Sequence, residues 1–165
     1  MTRDIRSLVR GDQRRPHLVI AFARRHGIAP LLTRAARPGG KWGHTAMWDE
    51  RNSVFHESLM WDGAVATHQD HWFDRYSATD LIAVPCPHPE RGIAFKREQT
   101  ERNTPYDYRG AWSVLYRGDW QDGNRLYCSE SETLALIHAG LTLFADHQRG
   151  IHPHDLWRVC AAFAL

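Results

Sequence analysis

Three short apolar segments separated by turn signals constrain the fold of this chain most strongly. They are Gly43–Trp48, Ser53–Leu59 and Gly63–Thr67, and residues 49–52 and 61–63 form the turns between them. Each segment has the length and the residue types of a strand, and the connections are short enough for hairpins. We therefore expect an antiparallel meander of three strands in the middle of the chain.

Further strands and helices are predicted on either side of this meander. The apolar runs Leu18–Ala23 and Leu81–Pro85 have the length of buried strands. Two segments carry apolar residues at helical spacing, and a third is helical in composition with a proline at its start. These predicted helices are Ile28–Ala36, Pro89–Gln99 and Glu130–Ala139. Acidic residues in the first turn of the last helix and Gly140 after its end indicate where it begins and stops. We expect this helix to be the central buried helix.

The two ends of the chain differ in character. Residues 1–16 are predicted to form a basic arm, irregular or briefly helical, and residues 17–165 a single domain. The segment after Pro153 predicts a short turn and an apolar end that docks on the core. At 165 residues the chain is long enough for a core that needs neither disulfides nor a metal.

Charge is unevenly spread along the sequence. Residues 1–41 carry ten Arg or Lys and two Asp, a net charge of +8, whereas residues 42–165 carry eleven and seventeen, a net charge of −6. A basic arm of this kind can dock on an acidic partner. It lacks the interleaved aromatic side chains of a single-strand nucleic-acid binder, so no nucleic-acid partner is expected. No apolar run approaches the ~20 residues of a membrane span, and no signal peptide is recognisable.

One of the three cysteines stands out. Cys86, Cys128 and Cys160 are far apart and form no Cys-x-x-Cys pair, which argues against a disulfide framework and a thiolate zinc site. Cys128 follows a turn-rich segment and directly precedes a predicted helix. At a helix N-terminus the dipole favours a thiolate, and the backbone N–H of the same residue can donate to an oxyanion. Cys128 is therefore the candidate nucleophile, and the other two cysteines are expected to be structural.

A reactive thiol here needs a cationic partner, because the nearby Glu130 and Glu132 raise its pKa. We favour His44 among eleven histidines, since it begins a predicted strand directly after a glycine-rich loop. A polar residue on the next strand can orient the second ring nitrogen. Glu57 and its neighbour His56 are both available, and in a regular strand they face opposite sides. Glu57 is favoured, because a carboxylate stabilises an imidazolium better, and His56 stays open as the alternative.

Seven short motifs occur in a distinctive order over residues 17–157. They are Gly43–Met47, Val54–Glu57, Gly63–Val65, Asp80–Val84, Pro105–Tyr108, Leu126–Glu130 and Ile151–Leu156. This order resembles the circularly permuted NlpC/P60 superfamily of papain-like hydrolases, and most of all its YiiX-like branch, in which the histidine precedes the cysteine helix. The resemblance implies an α+β papain-like fold with a central antiparallel sheet and the nucleophile-bearing helix packed on it. It also implies Cys128 as nucleophile, His44 as general base and Glu57 as the third residue.

The same resemblance implies a cysteine hydrolase that cleaves an amide bond without a cofactor. The expected substrate is a peptidoglycan stem peptide, and the enzymatic alternative is a lipid amide or ester hydrolase or acyltransferase. A catalytically silent structural module of a phage tail or secretion machine is the alternative of another class. The expected location is accordingly the cytoplasm, a phage virion or a secretion machine, where the basic arm would serve for docking. Tyr127 and Tyr106 are predicted to line the substrate cleft.

Two histidine pairs have spacings that zinc sites use, His68 with His71 and His152 with His154. Neither pair lies in a frame that would complete a site, since the segment around His68 shows no helical apolar stripe. We therefore expect solvated histidines and no bound metal.

Overall fold

A six-stranded sheet organises the chain. In this computed structural model the described residues are 4–24, 40–116, 124–145 and 150–164. The strands are β1 (Val9–Arg10), β2 (His17–Arg24), β3 (His44–Asp49), β4 (Val54–Leu59), β5 (Gly63–His68) and β6 (Ala78–Pro85). Their order across the sheet is β1-β6-β2-β3-β4-β5. The five α-helices within these residues are α1 (Gln69–Arg75), α2 (Pro89–Glu101), α3 (Tyr108–Tyr116), α4 (Cys128–His138) and α5 (Pro153–Ala161).

The predicted meander is confirmed. Strands β3, β4 and β5 follow one another and pair antiparallel, with Ala46 of β3 opposite Glu57 of β4. The first connection is a 3-10 turn over Glu50–Asn52, and it ends at Ser53 in the left-handed region with φ 53°. The second connection ends at Gly63, where a side chain would collide with the backbone of residue 104 at 2.5 Å. Local turn chemistry therefore sets the register that later brings the site residues together.

The sheet is mixed rather than antiparallel throughout. The two predicted strands outside the meander are present as β2 and β6, and β2 pairs antiparallel with both β6 and β3. At the edge, however, the short strand β1 pairs parallel with β6, with Val9 opposite Leu81. Ile5 and Val9 are buried there, which attaches the start of the chain to the core. The adjacent Arg10 forms an ion pair with Asp80 at 2.6 Å, so one arginine of the predicted arm contacts the domain.

Helices cover both faces of the sheet. Successive residues of a strand face opposite sides, and accordingly Phe22 packs into a core with Leu136 of α4, whereas Ala21 packs into a second core with Trp72 of α1. We call these sides the α4 face and the α1 face. Helices α2 and α5 also pack on the α4 face, where Gly92 of α2 lies close to the α4 backbone. The helix that begins at Cys128 is thus held against the sheet.

Two of the predicted helices are confirmed as α2 and α4, and the predicted helix Ile28–Ala36 lies outside the described residues. Although the segment around His68 shows no helical apolar stripe, a helix that was not predicted, α1, begins at the next residue and places Trp72 on the core. The short turn predicted after Pro153 is a nine-residue helix, α5. No helix in the described ranges is long and apolar enough to cross a membrane.

Candidate active site

The start of α4 is fixed by hydrogen bonds to its surroundings. Tyr127 is the extended residue before the helix, and the hydroxyl of Ser58 on β4 donates to the carbonyl of Leu126 at 2.5 Å. The hydroxyl of Ser129 donates to the carbonyl of Ile151 on the other side. Cys128 lies between these contacts and is 6% exposed. The thiol therefore sits at a helix N-terminus in a largely dehydrated position, where neighbouring charges act strongly.

The structure brings the three predicted site residues together. His44 is the first residue of β3, and its Nε2 lies 2.8 Å from Oε2 of Glu57. His44 also forms a hydrogen bond with Cys128. Because Nε2 faces the carboxylate, Nδ1 is the ring nitrogen left for the thiol. Cys128, His44 and Glu57 thus form a continuous hydrogen-bonded chain of thiol, imidazole and carboxylate, the order found in catalytic triads.

Glu57 is buried and accepts hydrogen bonds on both carboxylate oxygens. Thr67 and Arg75 donate to Oε1 at 2.5 and 2.9 Å. Tyr76 donates to Oε2 at 2.7 Å, beside His44. Burial alone would raise the pKa of Glu57, but the hydrogen bonds from His44, Thr67 and Tyr76 outweigh it and hold the pKa at about 2. Glu57 is therefore ionised at neutral pH in the folded protein.

The alternative third residue, His56, faces the other side of the sheet. Its Nδ1 lies 3.0 Å from the hydroxyl of Thr100, and its Nε2 lies 3.5 Å from Asp49. Burial and the positive charge of Lys96 lower the pKa of His56 to about 4, so that this ring is neutral at pH 7. Of the two neighbours, it is Glu57 that contacts His44.

The hydrogen bond between His44 and Cys128 shifts the pKa values of the two side chains in opposite directions. Burial by itself would lower the pKa of His44, but the hydrogen bonds with Cys128 and Glu57 outweigh it and raise the pKa to about 9. Burial would raise the pKa of Cys128, but its hydrogen bond and charge interaction with His44 lower the pKa of this thiol. The two opposite shifts favour the thiolate–imidazolium form of the pair over the neutral form. In contrast, burial raises the pKa of Cys86 to about 11 and also raises the pKa of Cys160.

The two carboxyl groups near the thiol do not cancel this arrangement. Burial raises the pKa of Glu130 to about 8, so it is mainly uncharged at pH 7. Its Oε2 accepts a long hydrogen bond from the Tyr127 N–H at 3.4 Å, which closes the first turn of α4. Glu132 is fully buried, and its Oε1 lies 2.7 Å from Nζ of Lys96 on α2. One carboxyl is thus neutral and the other is paired with a cation.

The two predicted cleft tyrosines lie in different surroundings. Tyr127 is 2% exposed, and its hydroxyl accepts a hydrogen bond from the N–H of Ile151 at 2.8 Å, which is a packing contact. Burial, followed by the negative charge of Cys128, raises the pKa of Tyr106 well above its usual value. The Tyr106 hydroxyl therefore keeps its proton near Cys128. Contact of either tyrosine with a substrate remains a prediction.

The groups that hold Glu57 and His44 were not identified from the sequence. Thr67 lies on β5, the strand next to Glu57, and a search for polar residues on the same face of the meander would have found it. Arg75 and Tyr76 come from the end of α1, a helix that the sequence did not predict. Tyr76 also stacks on the His44 ring with centroids 5.3 Å apart, which limits the rotation of the imidazole.

The histidine pairs considered for zinc have roles at helix starts. Nδ1 of His68 accepts the Asp70 N–H at 3.4 Å at the beginning of α1. Nδ1 of His152 accepts the His154 N–H at 3.0 Å at the beginning of α5. Among the described residues, no group of three or more His, Cys, Asp or Glu side chains is arranged to hold a metal ion.

A separate cavity lies at the far end of β3. It has a volume of about 530 Å³, and His17, Trp48, Asp49 and Arg97 are among its lining residues. Asp49 is five residues from His44 along the strand, which corresponds to roughly 16 Å. The cavity is therefore not part of the candidate active site.

No protein-family model matches this chain, and no curated protein matches it. The resemblance to the permuted NlpC/P60 superfamily therefore rests on the order of the motifs.

We expect Glu57→Gln to lower the free energy of unfolding at pH 7 by about 3 kcal/mol. The pKa of Glu57 lies at about 2 in the folded protein and at 4.5 ordinarily. Because the folded pKa is the lower one, the stabilisation is fully present above pH 4.5 and is lost as the pH falls towards 2. Urea unfolding of both proteins at a series of pH values measures the difference, which should shrink over this interval. Glu90→Gln, at an exposed carboxylate, is the matched control, and a difference independent of pH would contradict the prediction.

Proposed function

We propose that this chain is a cysteine hydrolase that cleaves an amide bond through an acyl-enzyme intermediate. The observation that carries the proposal is the hydrogen-bonded chain from Cys128 through His44 to the buried Glu57. It supplies a thiolate, a proton on the neighbouring imidazole and a fixed anion behind that imidazole. Nucleophilic catalysis by cysteine requires these groups in this order.

The chemical steps follow from the positions of the three groups. The Cys128 thiolate attacks the amide carbonyl carbon, and the carbonyl electron pair moves onto oxygen. The Cys128 N–H at the start of α4 is a donor for the resulting oxyanion. Collapse of the tetrahedral intermediate breaks the C–N bond, and the His44 imidazolium protonates the leaving amine. A thioester with Cys128 remains.

Hydrolysis of the thioester uses the same groups in reverse. Neutral His44 removes a proton from water, and the hydroxide attacks the thioester carbonyl. Collapse of the second intermediate releases the carboxylic acid and restores the Cys128 thiolate beside the protonated His44. Glu57 stabilises the imidazolium in both half-reactions and keeps Nδ1 directed at the sulfur. The protonated Tyr106 hydroxyl, held near Cys128, is a further donor for the substrate carbonyl.

The substrate that we propose is a peptidoglycan stem peptide. The support is the motif order, with the histidine strand before the cysteine helix, which resembles the permuted NlpC/P60 superfamily. The six-stranded mixed sheet with the cysteine helix packed on it is compatible with this proposal. Assignment to the papain-like fold is part of the same proposal.

Incubation with two substrate panels tests the proposal. Wild type, Cys128→Ala and the control Cys86→Ala are each incubated with muropeptides and, separately, with acylated lipids. We expect a new amine from the muropeptides with wild type and Cys86→Ala, and none with Cys128→Ala. Product from the lipids alone would replace the peptidoglycan proposal by a lipid hydrolase or acyltransferase. Absence of product from both panels, with an unreactive Cys128, would favour a catalytically silent module.

A further inference from the structure

Thr45 lies beneath the start of α4. It is the second residue of β3 and is paired with Phe22 of β2, which packs into the core on the α4 face. Paired residues in a sheet share a side, so Thr45 faces α4 as well. Ser58 on the neighbouring strand β4 also reaches the start of this helix, because its hydroxyl donates to the carbonyl of Leu126, two residues before Cys128.

The buried hydroxyl of Thr45 is not paired with any oxygen or nitrogen acceptor among the described residues. Thr45 is fully buried, and its Oγ1 has no hydrogen-bond partner among the residues that the structure describes. A buried hydroxyl without a partner is unfavourable, and such groups in native proteins call for an explanation. The O–H bond is free to rotate towards an acceptor. A thiolate is an acceptor of this kind, and a neutral thiol is a poor one.

The acceptor within reach is the sulfur of Cys128. Burial raises the pKa of this thiol and His44 lowers it, and the backbone and side chain of Thr45 are the next groups that lower it. The sulfur thus has donors on two sides: the imidazolium of His44, and Thr45 below the helix.

We propose that Thr45 is a catalytic residue of the candidate site, whose hydroxyl donates a hydrogen bond to the Cys128 sulfur when this sulfur is ionised. The assignment rests on the proposed function and deepens it. The bond is present in the free enzyme and is lost in the thioester, where the sulfur carries no negative charge. It forms again as the thiolate leaves during hydrolysis of the thioester. Thr45 therefore stabilises the leaving group of the second half-reaction and extends the ionised state to lower pH.

Thr45→Val tests this role, because valine keeps the branched shape and removes the hydroxyl. Site-resolved labelling of Cys128 by iodoacetamide is measured against pH in the full chain. We expect the midpoint of the pH–rate curve to rise by about one unit in Thr45→Val, with rates on its acidic limb about tenfold lower. Thr45→Ser retains a hydroxyl and should keep the wild-type midpoint. An unchanged midpoint in a folded Thr45→Val protein would overturn the proposal.

A second measurement separates a donor from a merely buried hydroxyl. In the Cys128→Ala background the acceptor is absent, so Thr45→Val should leave the melting temperature unchanged or raise it. With Cys128 present at pH 8, the same substitution should lower it. An equal change of the melting temperature in both backgrounds would contradict a Thr45–Cys128 hydrogen bond. The melting temperatures can be measured even if the labelling of Thr45→Val is too slow to follow.

Failure of this inference is distinguishable from failure of the proposed function. If wild-type Cys128 shows no lowered midpoint and no dependence on His44, both are overturned. If the dependence on His44 is intact and only Thr45→Val behaves as wild type, the catalytic pair stands and Thr45 is a packing residue.

Discussion

Replacement of His44 by Ala is expected to slow the labelling of Cys128 by iodoacetamide at pH 6 on the order of 100-fold. The thiolate is the reacting species, and the imidazolium of His44 is the main group that lowers the pKa of Cys128. Without it, burial at the start of α4 keeps the sulfur protonated. Labelling reactions quenched after a series of fixed times and followed by peptide mass spectrometry give the rate for each cysteine separately.

The other thiols and an exposed histidine provide the controls. Burial raises the pKa of both Cys86 and Cys160, so these two should label slowly at pH 6 in every variant. His88→Ala removes a half-exposed histidine, next to Glu90, and should leave the rate at Cys128 unchanged. Similar slow rates for all three thiols in the wild type would rule out the thiolate–imidazolium pair and with it the proposed nucleophile.

We expect labelling and turnover of the wild type to depend on pH in different ways. Iodoacetamide should label Cys128 already at pH values below 9.0, the ordinary pKa of a thiol, because the pKa of Cys128 is lowered. The pKa of His44 is raised to about 9, so the imidazolium that supplies the proton in the proposed mechanism is lost as the pH rises through this value. Turnover should therefore fall above about pH 9, even though labelling continues there, because the two assays depend on different members of the pair.

Lys96→Met is expected to lower the free energy of unfolding by about 3–5 kcal/mol. Nζ of Lys96 lies 2.7 Å from Oε1 of Glu132 and 2.7 Å from the hydroxyl of Ser131, and the two charged side chains are almost completely buried between α2 and α4. Removal of the cation leaves a carboxyl group in the core without its partner, and this group must be either protonated or buried as a bare charge. Denaturant unfolding at pH 7 measures the loss.

Two variants show whether the loss comes from the pair. Lys96→Met combined with Glu132→Leu removes both charges and should recover much of the stability, because an apolar replacement of a buried pair is often neutral. Arg102→Met breaks an exposed ion pair with Glu98 on the same helix and should cost less than about 1 kcal/mol. A Lys96→Met protein as stable as the wild type would mean that Glu132 is already protonated in the native state.

Much of the fold could be predicted from local signals. The meander of β3 to β5 follows from apolar segments of strand length between turn residues, and α2 and α4 follow from their starts and from helical composition or spacing. Helix α1 could not be predicted in this way, because it has seven residues and is stabilised by Trp72 and Phe73 against the α1 face. Short elements of this kind depend on tertiary packing more than on their own sequence.

The parallel pairing of β1 with β6 is also a tertiary effect. A two-residue strand has no recognisable pattern, and it forms because Ile5 and Val9 bury their side chains in the core of the α1 face. The overall basic composition of this end of the chain gives no sign that two apolar residues, Ile5 and Val9, attach it to the core. Charge composition describes the surface of the segment and not its contacts.

By itself, the sequence singled out Cys128 as the candidate nucleophile and His44 as its candidate base. Cys128 and His44 each lie at the start of an element, where local sequence sets the backbone, and such signals are legible without a structure. The tertiary structure decided between Glu57 and His56, since the pairing of Ala46 with Glu57 places this carboxylate on the side of His44. It also brought Thr45, on a strand far away in sequence, close enough to Cys128 to interact with its thiol. The physical reason is strand alternation: neighbouring residues face opposite sides, and only register and the packing of helices on each face show which side meets the site.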